Sequence, residues 1–146
     1  MNRMQFAFSV VACTASFAAA GQSKLTLKDV KQQGGKQVTA DEAKALLPGA
    51  KVVSIANNGS TRTWQNAEDG KFVASTDNFT EIGSTRHRTV QGTWHIGDNG
   101  AFCVELAWTA GPEKWCRYLY RLGEKYYGFN SPTNPSGIAF EYAFSR

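Results

Sequence analysis

Beyond Lys51, turn-forming pairs recur about every ten residues between runs of β-branched and aromatic side chains, and this rhythm constrains the fold more than any other feature. Asn58-Gly59 separates residues 52–56 from 60–65, Asp69-Gly70 leads into 71–76, and Asn99-Gly100 separates 93–96 from 102–109. Ala110-Gly111-Pro112-Glu113 turns the chain into 114–122, Gly123-Glu124 turns it into 125–130, and a loop rich in Ser, Pro and Asn precedes 138–144. Connections this short join antiparallel neighbours. The last segment alternates cleanly, with Ile138, Phe140, Tyr142 and Phe144 on one face, so it buries one side and wets the other. Strands of this kind close most readily into a small barrel or a curled sheet, because closure removes exposed edges. The predicted fold is mainly β, about eight antiparallel strands in meander order with one short N-terminal helix.

That helix is signalled by Thr39 at a capping position and Glu42 three residues later, followed by Ala43, Ala45, Leu46 and Leu47 until Pro48-Gly49 ends it. Residues 21–37, polar with a weak apolar alternation at Leu25, Leu27 and Val30, read as a flexible N-terminal arm. Residues 1–20 have the layout of a signal peptide, with a basic start at Arg3, an apolar run from Met4 to Phe17, and small residues at Ala18 and Ala20. Cleavage there would release a periplasmic or secreted protein beginning at Gly21, with residues 38–146 as its single β-barrel-like domain. An alternative reading takes Val10-Val11-Ala12-Cys13 as a lipobox, with the protein anchored as a lipoprotein through Cys13. No other segment approaches the roughly 20 apolar residues of a transmembrane span.

The formal charge of +4 falls to +3 when Arg3 leaves with the signal segment. Its bases are scattered rather than aligned, which excludes a nucleic-acid-binding stripe. The densest group, Arg86-His87-Arg88, stands among Gly, Ser and Thr residues and is expected on an exposed loop, where it could contact an anion or an acidic partner.

Residues 92–120 hold Cys103 and Cys116 with Trp94, Trp108 and Trp115. In an exported chain an even pair of cysteines is read first as a disulfide. The loop closed is about 14 residues, worth roughly 3 kcal/mol in the chain-entropy model. A four-residue turn at 110–113 in perfect register would set Cys103 opposite Tyr120, so the pairing requires a bulge or an earlier turn. The spacing is neither a C-x-x-C redox pair nor a zinc knuckle, and His95 with His87 or Glu105 makes a poor ligand set, so no metal or cofactor is expected. Nucleophile-elbow, H-E-x-x-H, phosphate-loop and EF-hand patterns are all missing.

Phe102, Val104, Leu106 and Trp108 share one face of their strand, and Cys103, Glu105 and Ala107 share the other. With the disulfide formed, Tyr118 and Tyr120 join the second face. Both faces carry aromatics, so the sequence leaves open which one points inward.

The opening Thr39-Ala40-Asp41-Glu42, Gly49, the Gly92-Thr93-Trp94 triplet, Cys103 before Trp108, and Cys116 before the segment from Gly123 to Tyr127 resemble small secreted proteobacterial proteins grouped as a domain of unknown function. The resemblance spans roughly residues 37–130 and implies no activity or cofactor. The G-x-W triplet is also similar to that of lipocalin-like barrels, which carry it in the first strand rather than mid-chain, so that likeness is architectural.

The reading that follows is an exported bacterial envelope protein, non-enzymatic, binding either a small amphipathic ligand or another envelope protein. Trp94, Glu105, Trp108, Tyr118 and Tyr120 are the candidate contact residues. The alternatives are a small secreted hydrolase using Glu105 or His95 as general base, and an inhibitor-like surface contact through Arg86, His87 and Arg88.

Overall fold

The computed structural model describes residues 24–79 and 85–146. The expected signal segment and the lipobox cysteine, Cys13, lie outside these residues. Two helices, α1 (Leu27–Gln32) and α2 (Ala40–Leu46), flank a two-residue strand, β1 (Lys36–Gln37). Then follow β2 (Lys51–Ile55), β3 (Thr61–Gln65), β4 (Lys71–Phe79), β5 (Thr85–Ile96), β6 (Phe102–Trp108), β7 (Gly111–Leu122), β8 (Lys125–Phe129) and β9 (Phe140–Ser145). From β2 on, each strand pairs antiparallel with the next, and β9 returns to β2, with Lys51 opposite Ser145 and Ile55 opposite Glu141. The result is a closed eight-stranded meander barrel, as the turn rhythm predicts.

The inward face is that of Phe102, Val104 and Leu106. Phe102 sits at the centre, its ring 5.9 Å from Trp115, 6.2 Å from Phe144, and 6.3 Å from Trp64 and Tyr142. Trp115, Phe144 and Tyr142 meet it edge-to-face and Trp64 stacks on it, both arrangements that suit aromatic quadrupoles. Glycines make room for two of the large rings. A Cβ at Gly128 would lie 2.6 Å from Tyr142 Cε2, and one at Gly92 would collide with the Phe72 ring. The glycine of the G-x-W triplet is therefore a packing requirement.

One end of the barrel is plugged by α2, whose Ala43, with Leu47 just after it, is completely buried in this core. Its start is the predicted capping box: the Thr39 N–H donates to Glu42 (2.7 Å) and the Glu42 N–H to the Thr39 hydroxyl (3.2 Å). Its C-terminal carbonyls are taken up by the barrel. Asn66 Nδ2 donates to the Leu47 carbonyl (3.0 Å), and Arg146 donates to those of Ala45 (2.7 Å) and Pro48.

Three expectations are corrected. Residues 27–32 of the expected flexible arm form α1, opened by a second capping box between Thr26 and Asp29, and bury Leu27 and Val30 with Tyr120, Phe129 and Ala139. The burial of two apolar side chains one helical turn apart gives this segment a docking face. Arg86-His87-Arg88 stands not in a loop but in β5, where Arg88 pairs with Thr76 and His87 with Asp77. This half of β4 and β5 is largely polar, so no apolar alternation announces it. The turn after β6 is the two residues Thr109-Ala110, with Trp108 opposite Gly111. That earlier turn sets Cys103 opposite Cys116, and the two form the disulfide, with Cα atoms 4.0 Å apart.

Candidate functional site

The meander places the β2–β3 and β6–β7 connections at the barrel end away from α2. Inward positions of the strands there are polar or aromatic: Ser54 on β2, Arg62 on β3, Glu113, Trp115 and Arg117 on β7, Phe140 and Tyr142 on β9. They line a recess of about 180 Å³, with Ala56, Asn58 and Ser60 from the β2–β3 hairpin at its edge. Arg62 also borders a wider depression together with Arg88, Trp108 and Pro112. The segment between β8 and β9 that flanks this end is held from outside by α1. The N–H groups of Leu27 and Lys28 donate to the carbonyls of Gly137 (2.9 Å) and Pro135 (3.0 Å), and Lys31 reaches that of Pro132 (3.2 Å).

Within the recess Glu113 is fully engaged. Its Oε1 accepts from Arg62 Nη1 at 2.6 Å, and its Oε2 accepts from Arg62 Nη2 at 3.2 Å and Trp108 Nε1 at 2.9 Å. Burial alone would raise this carboxyl, but the hydrogen bonds from Arg62 and Trp108 with the Arg62 charge hold it below the usual glutamate range. Glu113 is therefore a carboxylate, locked to one arginine by a bidentate pair.

Arg117 is different. Only 9% of it is exposed, its guanidinium carbon lies 3.3 Å from the Phe140 ring centroid and 4.7 Å from that of Trp115, and its nearest polar contact is the Tyr142 hydroxyl at 3.5 Å. Its Nε has no hydrogen-bond partner, and among the described residues no carboxylate lies within ion-pair distance. Burial pushes the guanidinium down from its ordinary value, yet an arginine stays protonated in a protein. Burial pushes the Tyr142 phenol up, so it remains neutral. The recess thus holds a fixed, aromatic-clad positive charge beside neutral hydroxyls.

The structure divides the residues singled out from sequence. Trp94 and Trp108 face inward, but Trp94 is packed in the closed half, donating to the Ala67 carbonyl at 2.8 Å, while Trp108 stands at the open mouth. Glu105, Tyr118 and Tyr120 are on the outer face and do not join them. Glu105 pairs with Lys114 at 3.1 Å, and Tyr118 and Tyr120 belong to the small cluster under α1. His95 is exposed on the same outer face, opposite Cys103. Glu105 lines a wide, open depression of about 740 Å³ on the outer face with Phe72, Val73 and Gln91, and His95 is not among its lining residues. Arg88 reaches the mouth, while the side chains of Arg86 and His87 lie outside the described residues. Among the described residues no three metal-ligating side chains converge.

Sequence reasoning missed Arg62, Glu113, Arg117, Phe140 and Tyr142 as a group. Their signal was available only through register, since a charged residue at an inward parity on one strand carries meaning once the partner strands are aligned.

Comparison with curated proteins and with solved structures yields no match. A family described as a protein of unknown function (DUF995) matches residues 12–117, well over half of the chain and including both halves of the disulfide, and the protein belongs to that family.

Proposed function

We propose that this protein is an exported binding protein of the bacterial envelope that takes a small amphipathic ligand into the open end of its barrel. The observation that carries the reading is the recess itself: one end of the interior is filled by α2 and apolar side chains, whereas the other is left as a small chamber with polar and aromatic walls. Export is supported by the Cys103–Cys116 disulfide. Among the described residues no helix is long and apolar enough to cross a membrane. Both are compatible with a periplasmic or extracellular location.

Native mass spectrometry of the protein recovered from an expressing bacterium tests the proposal. The expected species begins at Gly21, is lighter than the reduced chain by two hydrogens, and carries a small adduct that disappears when Ser54→Phe fills the recess. A chain that begins at an acylated Cys13 would overturn release in favour of anchoring, and an adduct indifferent to Ser54→Phe would overturn the recess as its place.

A further inference from the structure

Resting on that reading of the recess, we infer that its ligand is a small organic carboxylate, held as a monoanion by the unpartnered edge of Arg117. The argument begins with charge. Arg62 and Glu113 neutralise each other through two hydrogen bonds, which leaves Arg117 as one uncompensated cation in the chamber. A buried charge left unpaired is costly, and a single negative charge would balance it.

Shape narrows the anion further. Phe140 and Trp115 lie against the guanidinium, so its in-plane N–H groups are what remains to donate. Nε and Nη2, which share one edge of the guanidinium, make no hydrogen bond, and Nη1 makes only the long contact to Tyr142. Two donors in a planar fork match the two oxygens of a carboxylate. At about 180 Å³ the chamber is smaller than the roughly 300 Å³ at which drug-sized pockets begin, so the molecule is small and a long acyl chain does not fit inside. The same rings that clad Arg117 would receive its apolar part.

The test is titration of the full-length mature protein with benzoate, its neutral isostere benzamide, and inorganic phosphate. Binding is read by tryptophan fluorescence and by the ¹⁵Nε–H resonance of Arg117. The expected result is saturable benzoate binding that moves the Arg117 resonance, with benzamide at least about tenfold weaker, as loss of a charge-assisted bidentate pair implies, and phosphate weaker because it offers the aromatic walls no apolar part. Arg117→Met should abolish benzoate binding and Arg117→Lys should weaken it, both at unchanged melting temperature within a few degrees. The wild-type resonance keeps the test valid if either variant folds poorly. Equal binding of benzoate and benzamide, or phosphate binding as tightly as benzoate, would overturn the carboxylate while leaving the recess as a binding site. If none of the three binds and the native protein carries no adduct, the recess reading fails as well.

Discussion

The two ends of this barrel bury polar side chains to similar depth and treat them in opposite ways. At the closed end Asn66 is fully buried, and each of its groups is matched. Its Nδ2 donates to Leu47, its Oδ1 accepts from Trp64 Nε1 (2.8 Å), its N–H donates to Ala50 (2.9 Å) and its carbonyl accepts from Gly49 (2.8 Å). At the open end Arg117 and Thr76 are also buried, yet Arg117 Nε and Thr76 Oγ1 have no hydrogen-bond partner among the described residues. A buried polar group without a partner costs about 1–3 kcal/mol, so one end of the interior is built for retention and the other tolerates a standing penalty. Penalties of that kind gather where a molecule binds.

Substitutions can break or sharpen this contrast. The largest effect is expected from Phe102→Ala, which removes the ring shared by both halves; chemical denaturation should show a loss of about 3–5 kcal/mol. Replacing both Cys103 and Cys116 by serine should cost about 3 kcal/mol, read in the same assay against the oxidised wild type. Asn66→Ala should follow with about 2 kcal/mol, because it orphans the Trp64 indole N–H and the Leu47 carbonyl.

Effects at the open end should be smaller and pH-dependent. Glu113 has its native pKa held below the ordinary value of 4.5, so its contribution is complete above that value and is lost as pH falls through the lowered native one. Acid titration should show the wild type and Glu113→Gln converging in stability at low pH and separating near neutrality, modestly because the pair is about one-third exposed. Arg117→Met should cost nothing or raise the melting temperature, because it removes an unpaired buried charge and keeps the apolar stem. A marked loss there would show that Arg117 is retained for packing.

The architecture was legible because meander barrels are written locally. Asn58-Gly59 and Asn99-Gly100 announce hairpins, the 138–144 alternation announces a one-sided strand, and Thr39 with Glu42 announces α2. The capping box at Thr26 and Asp29 was just as local, but its apolar residues, Leu27 and Val30, are too few to show a helical stripe. The site was not legible because it is assembled from β2, β3, β7 and β9, strands whose alignment depends on the exact length of each turn. Moving the turn after β6 from 110–113 to 109–110 decides which residue faces Cys103, and with it the pairing of Phe102 with Arg117 and of Leu106 with Glu113.

Closure of β9 onto β2 also governs the order in which the molecule can come into being. Every other seam of the barrel joins strands adjacent in sequence, but this one joins Lys51 to Ser145 across the whole meander. Such a long-range pairing must pay its loop-closure entropy before any contact rewards it, and all-β topologies of this type fold in about milliseconds to seconds rather than microseconds. Until the final strand is delivered, both β2 and β8 present open edges, and Arg146 is not yet in place on the α2 carbonyls. The barrel therefore cannot seal until β9 is in place, and the recess, which takes Phe140 and Tyr142 from that strand, is completed only then.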